Sequence, residues 1–502
     1  MSTRQETLTC SGAMVLPKES KRRINQASGF IFVDASNINS NGLLSKDAKI
    51  SIRRQAARSG KKSHRLQSAA QTDVPMPEDG SHSGLIVLQE PHYTLFPHLS
   101  LKGYELLRAT YNFDILDLAT FAEVDLATNA HVLLQNEPSR YKEFLARSQS
   151  SFLAHLPSLY GQNACLDDAM CCVAARASQM VGLSIKQRIP DLLYGKAIES
   201  LQKEITGVSG CPTANSYCAT RLLALYELLG EPRTTRLVTH LRGSAALLGL
   251  RQAALYESSF DRALLKSQGP SIVVNELYTM KHSMFEDPEW QQLFQHASTL
   301  ETDLESCTWW RFFGVVTLLP GILKDLRVLF DRGANQAGYV HQSGRILERA
   351  TMVHKGLHEN NVLYQSKPPH PPSLFHLPVS AESSDRTRLR EFFLYTMIFI
   401  CRARATLSPD RMDRAINEAE AQTFATQALL IAKVTKEFDG AMAWHFEQRN
   451  GLAKSVTQTR VDWLVSLADD GHSIELNQPL AQRWLKWENS WRSSVLDVEY
   501  GV

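Results

Sequence analysis

Between about residues 90 and 500 the apolar residues recur with a helical period. In the stretch "NSYCATRLLALYELLGEP" they fall at i, i+3, i+4, i+7 and i+10, and Gly230 and Pro232 then supply a stop. The next stretch, "TRLVTHLRGSAALLGL", also places its apolar residues on one face, at Leu237, Leu241, Ala245 and Leu248. The two stretches therefore predict a helical hairpin across a short loop.

The same period predicts further helices along the chain, with no convincing run of strand-like alternation between them. Their predicted ranges are 141–156, 165–181, 191–205, 289–304, 310–332, 345–358, 386–405, 418–437, 452–467 and 480–496. We expect an all-α fold, with one large multi-helix domain at 84–502 and a Pro-rich loop at 367–385 inside it. No fixed repeat period occurs, so a regular solenoid is not predicted.

Residues 1–83 follow a different pattern, because they are polar and basic and offer little to bury apart from "FIFV" at 30–33. Such a composition predicts a largely disordered region. Ser45 is a candidate N-cap and Gly60 a candidate C-cap, which together predict a short helix at 45–59. The stretch "QTDVPMPEDGSHSG" at 71–84 then has the composition of a linker.

The charge of the chain divides in the same way. Its 502 residues have a net charge of only +2, but residues 1–70 carry 13 Lys and Arg against 4 Asp and Glu, which is +9. The remaining residues carry 41 against 48, which is −7. This is the pattern of a basic arm on an acidic body. The eight cysteines are sparse and no secretory signal precedes them, which predicts reduced thiols.

Motifs that bind phosphates, hold a catalytic serine or bind zinc in metalloproteases do not occur in the chain. It contains no G-x-x-x-x-G-K-[ST], G-x-G-x-x-G, G-x-S-x-G or H-E-x-x-H. Its longest apolar runs, at 312–323 and 392–401, are shorter than the roughly 20 residues that cross a bilayer. We therefore expect no enzyme activity, no catalytic residue, no metal, no cofactor and no membrane partner.

A few residues still invite a chemical interpretation. His354 and His358 stand at i, i+4 on a predicted helix and would need a third ligand to hold a metal, so we interpret them as ordinary boundary histidines. Cys171 and Cys172 lie among apolar residues, which predicts inert, buried thiols. Two pairs of adjacent acids are interpreted as helix-end or loop charges: Asp167 with Asp168, and Asp469 with Asp470. A stripe of tryptophans on one helix face is interpreted as core packing: Trp484, Trp487 and Trp491.

Four segments together resemble the fungal-specific transcription factor domain. They are "YGKAIESLQKEI" at 194–205, "LLALYELLG" at 222–230, "THLRGSAALLGLR" at 239–251 and "DPEW" at 287–290. In that family a Y-x-x-A-L helix, an L-x-x-Y-E helix and an H-x-x-G-A-x-x-L-L helix recur in this order. The last corresponds here to His240, Gly243, Ala245 or Ala246, Leu247 and Leu248, and the resemblance covers about residues 90 to 495. By their residue types, Gly243 would allow close helix approach, and Tyr226 and Trp290 would fill the core.

The resemblance implies a regulatory helical domain of a nuclear transcription regulator, and it allows a homodimer. Many members of the family carry a binuclear zinc cluster of six cysteines before this domain, but residues 1–90 here contain only Cys10. In its place stands a segment that resembles the N-terminal stretch of a subset without the cluster, where an F-x-F-V piece precedes a basic helix.

The basic arm is the predicted place of a nuclear localisation signal or of nucleic-acid contact, with ordinary solvated charge as the third interpretation. Its candidate residues are Lys21, Arg22, Arg23, Lys49, Arg53, Arg54, Arg58, Lys61, Lys62 and Arg65. Such residues neutralise phosphates without reading sequence, so a DNA contact here would be non-specific. No aromatic residues are interleaved for base stacking, which disfavours single-strand binding.

We therefore expect a nuclear transcription regulator that works through other regulators, co-regulators and a nuclear import receptor. The main alternative is a co-regulator or scaffold that does not bind DNA. A further alternative is a small-molecule sensor or helical enzyme with a pocket among Trp309, Trp310, Phe312 and Trp487.

Overall fold

The structure is a computed structural model of the 502-residue chain. It describes residues 102–123, 138–182, 188–207, 212–230, 234–332, 338–378, 382–438, 450–463 and 477–499. The predicted arm at 1–83, its helix at 45–59 and the domain boundary after residue 83 lie outside these described residues.

The described residues form an all-α fold, which confirms the predicted fold class. The α-helices are α1 (Tyr104–Tyr111), α2 (Ala119–Ala122), α3 (Leu156–Leu159), α4 (Ala164–Met180), α5 (Arg188–Thr206), α6 (Ala214–Leu228), α7 (Thr234–Leu250), α8 (Ser259–Tyr278), α9 (Pro288–Leu300), α10 (Leu304–Val316), α11 (Leu319–Arg332), α12 (Tyr339–Ser366), α13 (Ser384–Leu407), α14 (Arg411–Phe438), α15 (450–458) and α16 (Asn477–Glu499). Short 3-10 turns join some of them, at Ile115–Asp117, Pro138–Phe144, Phe152–His155, Ala253–Leu255 and Met284–Glu286. Within the described ranges, extended pairing is limited to one bridge between Leu118 and Ala146.

Helix α6 lies at the centre of the first half of the body. It packs against α4, α5 and α7, and nearly all of its residues are buried, including the polar Thr220 and Arg221. A capping box fixes its start, because the Ser216 amide donates to Thr213 Oγ1 over 3.1 Å and the Thr213 amide donates back to Ser216 Oγ. Removing such a cap typically costs about 1 kcal/mol.

The second half is organised around α13. This helix forms an antiparallel hairpin with α14 across a short turn at 408–410, and it also packs against α10, α12 and α16. Its centre, from Phe393 to Ala403, is almost entirely buried. Residues 367–378 lead from α12 towards α13 without a helix, and the Leu374 amide donates to Asn361 Oδ1 over 3.1 Å.

Two helix predictions are wrong in detail, and the sequence pattern did not predict every helix. The predicted helix at 141–156 is instead two 3-10 turns and the short α3. The Ala146 amide donates to the backbone carbonyl of Asp117 rather than within a helix, and the Ser151 side chain caps the start of the second turn. The predicted helix at 310–332 is two helices, with a break at 317–318 and Pro320 in the first turn of α11. Helix α8 was missing from the prediction.

The internal proline explains why the sequence pattern conceals α8. Pro270 cannot donate to the carbonyl of Lys266, and such a residue usually ends a helix. Burial on nearly every side holds the helix together, and Leu264, Leu265 and Val273 are among its buried residues. Among the described helices, none is both long enough and apolar enough to cross a membrane.

Candidate functional site

The first three segments of the family resemblance meet at one point in the fold. They lie on α5, α6 and α7, which we call the motif helices, and they contribute Tyr194, Tyr226 and His240. The Tyr194 ring stacks on Tyr226 with centroids 4.5 Å apart. The Tyr194 hydroxyl and His240 Nε2 share a hydrogen bond of 2.8 Å. We call these three residues the motif cluster.

Two residues that the sequence did not single out support the motif cluster. The Tyr226 hydroxyl donates to Asp191 Oδ1 over 2.8 Å, which connects α6 to the first turn of α5. The guanidinium of Arg176 on α4 lies 5.5 Å from the centre of the Tyr226 ring, a cation–π distance. Neither residue belongs to a motif segment, so only the fold associates them with the cluster.

The environment of the motif cluster suits packing better than proton transfer. His240 is 3% exposed, and burial, with a smaller effect of the Arg236 charge, lowers its pKa to about 4. Burial also raises the pKa of Tyr194 and Tyr226. All three side chains are therefore uncharged at neutral pH, and none is poised to exchange a proton near pH 7.

A small cavity lies between α2, α6 and α7. Its volume is about 10 Å³, enough for one water molecule at most. It is lined by Phe121, Arg221, Ala224, Leu225, Leu228, Leu237 and Leu241. This space is too small for an organic substrate.

Of the predictions for two other motif residues, Gly243 and Trp290, one is wrong and one is confirmed. The expectation that Gly243 allows close helix approach is wrong, because a Cβ placed there would meet nothing within 4 Å. The close approach occurs at Gly269 of α8, where a Cβ would lie 2.6 Å from Cζ of Phe313. Trp290 fills the core as predicted, since it is 7% exposed and its ring centre lies 5.1 Å from that of Phe285.

The residues with candidate catalytic chemistry mostly have structural roles. Cys172 is buried as predicted, whereas Cys171 is only partly buried. Burial raises the pKa of both thiols, which disfavours the reactive thiolate form. Asp167 accepts a hydrogen bond from the Gly161 amide, and Asp168 pairs with Lys196. Asp469 and Asp470 lie outside the described residues. Six cysteines lie in the described ranges and form no disulfide: Cys165, Cys171, Cys172, Cys218, Cys307 and Cys401.

The tryptophans pack into the core. Trp484, Trp487 and Trp491 are each at most 2% exposed, and successive ring centres lie 5.1 and 6.3 Å apart. This confirms the interpretation of the stripe as core packing. The residues suggested to line a ligand pocket are also nearly inaccessible, with Trp309 at 4%, Trp310 at 1%, Phe312 at 0% and Trp487 at 2% exposure.

The histidine pair and the basic arm complete the predicted candidates. His354 and His358 lie side by side on α12 with ring centres 4.7 Å apart. His354 Nε2 forms a hydrogen bond of 2.9 Å with Glu420 Oε2 of α14. The basic-arm candidates from Lys21 to Arg65 all lie outside the described residues.

Comparison with known proteins gives no match to the chain among protein-family models, curated proteins or solved structures.

Proposed function

We propose that this protein is a nuclear transcription regulator whose helical body is a regulatory domain. The observation that carries the proposal is the motif cluster. Three segments that resemble the fungal-specific transcription factor domain, spread between residues 194 and 251, meet through Tyr194, Tyr226 and His240. The cluster supports the proposal because the residues that carry the resemblance share a packing role in this fold.

The basic arm supports the nuclear part of the proposal. Its net charge of +9 over residues 1–70 suits an import receptor and DNA phosphates. Two of the tryptophans suggested to line the pocket of a sensor or enzyme, Trp310 and Trp487, are each at most 2% exposed, which favours a packing role for them.

A co-regulator without direct DNA contact is the second candidate. It is favoured by the sequence observation that Cys10 is the only cysteine in residues 1–90, so the six cysteines of a binuclear zinc cluster are missing there. Such a protein would reach chromatin through a partner that reads the DNA.

Localisation and chromatin occupancy of the full chain test the proposal. We expect nuclear accumulation that is lost when residues 1–83 are removed, together with enrichment of the full chain at a set of promoters. Enrichment that disappears when a partner factor is depleted would favour the co-regulator. A chain that stays outside the nucleus, or that enriches at no promoter, contradicts the proposal. Nuclear accumulation without residues 1–83 would instead assign import to a second signal or to a carrier partner.

A further inference from the structure

Three consecutive helices of the second half bring three metal-binding donor atoms together. His354 of α12, Cys401 of α13 and Glu420 of α14 each point one ligand atom at a common place, and these atoms all lie within 4.8 Å of one another. His354 Nε2 is 2.9 Å from Glu420 Oε2, and the Cys401 thiol donates to the same oxygen over 3.5 Å. We call these three residues the donor triad.

The fold around the donor triad gives it both a closed side and an open side. Cys401 is fully buried on the inner face of α13, whereas the side chains of His354 and Glu420 are 15% and 34% exposed. An ion could therefore enter past Glu420 and be held against the buried sulfur. The helix packing fixes the backbone positions, since α13 packs against both α12 and α14.

We propose that the donor triad is a binding site for a zinc ion. Tetrahedral zinc with nitrogen, oxygen and sulfur ligands at about 2.0 to 2.3 Å places its donors roughly 3.3 to 3.6 Å apart. Two of the three donor separations in the triad, 2.9 and 3.5 Å, lie close to this range, and the separation of the His354 nitrogen from the Cys401 sulfur is at most 4.8 Å, so the side chains would shift to admit the ion. A sulfur and an imidazole nitrogen select zinc over magnesium or calcium, which prefer oxygen ligands.

The two negative charges that the ligands would carry match the two positive charges of a zinc ion. When zinc binds, it replaces the proton of the Cys401 thiol, and the thiolate and the Glu420 carboxylate together offset its two positive charges. His358 borders the site and Glu418 lies near it, but the Glu418 carboxylate is paired with Arg402.

Three protein ligands leave the fourth position of the ion to water or to an incoming ligand. The site would also link α12, α13 and α14 by coordination, so the ion would stabilise their packing. This role is separate from the proposed regulatory function, and its test does not depend on transcription.

Metal binding to the full-length protein tests the site. The protein is stripped with a chelator, dialysed against zinc chloride and analysed for bound zinc, and a second sample is loaded with cobalt to detect sulfur ligation by its charge-transfer absorption. The variants are Cys401→Ser, His354→Gln and Glu420→Gln. Cys307→Ser and His296→Gln are matched controls, because Cys307 and His296 lie on α10 and α9 and do not belong to the triad.

We expect one zinc ion per chain in the wild type and in both controls, and loss of that ion in each triad variant. We also expect the sulfur–cobalt absorption to disappear in Cys401→Ser. Wild-type protein without bound zinc, or a Cys401→Ser variant that keeps the absorption, would overturn the proposal. Because Cys401 is buried, its variant can unfold. Glu420→Gln is at a partly exposed position and keeps the thiol, so retention of zinc by this folded variant would also overturn it.

Discussion

The guanidinium of Arg402 and the carboxylate of Glu418 form an ion pair in which neither side chain is more than 1% exposed, with Nη2 3.0 Å from Oε1. The same guanidinium lies 4.3 Å from the ring centre of Trp463 and 4.9 Å from that of Trp487. It also donates to Thr459 Oγ1 over 2.8 Å. One cation thus joins α13 to α14, to residues 459–463 just after α15, and to α16.

Replacing Arg402 by methionine should therefore destabilise the fold strongly. The variant leaves the Glu418 carboxylate buried without its cation, and removing one partner of a buried pair costs about 3 to 5 kcal/mol. Burial already raises the pKa of Glu418, and Arg402 opposes that rise. Chemical unfolding followed by circular dichroism measures the loss.

Two further variants isolate the cause of this loss. The double variant Arg402→Met, Glu418→Leu should recover most of the stability, because it removes both charges. The exposed pair Lys355–Glu359 is the matched control, since Lys355→Met should cost less than about 1 kcal/mol. A double variant no more stable than Arg402→Met would show that the lost contacts, rather than the unpaired carboxylate, cause the effect.

Two glycines should respond in opposite ways to alanine. A Cβ at Gly269 would lie 2.6 Å from the Phe313 ring, so Gly269→Ala forces the core apart and should cost about 1 to 3 kcal/mol. At Gly243 the space is open and the residue is helical, so Gly243→Ala should stabilise by about 0.4 to 1 kcal/mol. Thermal unfolding of the two variants measures both changes. A loss of stability in Gly243→Ala would show that another helix does approach closely at Gly243, as its residue type suggested.

Helical period predicted the fold class and most of the helices, because the amphipathic stretches carry their own stop signals. Gly230, for example, ends the stretch that becomes α6. The pattern failed where burial overrides it. Pro270 hides α8, which is held by packing on nearly every side, and local serine caps turn the stretch at 141–156 into short turns.

The donor triad shows why the candidate sites were harder to predict. The sequence presented His354 and His358 as a pair that lacked a third ligand. Glu420, which bonds His354, lies 66 residues away in the chain, and no local pattern associates the two. Helix packing alone brings them together. Asp191 and Arg176 join the motif cluster for the same reason.

Acid should weaken the fold through His240. Its pKa is about 4 in the folded chain, against 6.5 for an ordinary histidine, so the unfolded chain binds more protons between these values. The stabilisation is present above pH 6.5 and is lost as the pH falls towards 4. Between pH 7 and pH 5 the loss from this residue is about 2 kcal/mol, because one pKa unit corresponds to about 1.4 kcal/mol.

The variant His240→Gln separates this effect from other titrations. Burial also lowers the pKa of His155, and burial raises the pKa of Glu276, so the whole chain has further pH dependence. The difference in unfolding free energy between wild type and His240→Gln, measured at pH 7 and pH 5, cancels these shared effects. We expect the difference to shrink by about 2 kcal/mol at pH 5. An unchanged difference would show that His240 keeps an ordinary pKa.

The basic arm should bind DNA through phosphates, and the salt dependence of the binding constant tests this. Each phosphate contact contributes about 0.9 to the slope of log K against log salt, so replacing Arg53, Arg54, Lys61 and Lys62 by Ala should reduce the slope by about 3 to 4. The loss should be equal on unrelated DNA sequences, because phosphate contacts carry no sequence information. A matched control replaces four exposed cations of the helical body: Lys203, Arg332, Arg345 and Lys355. A slope that falls equally in both variants would assign the attraction to overall charge, and an unaltered slope in the arm variant would remove the arm from DNA binding.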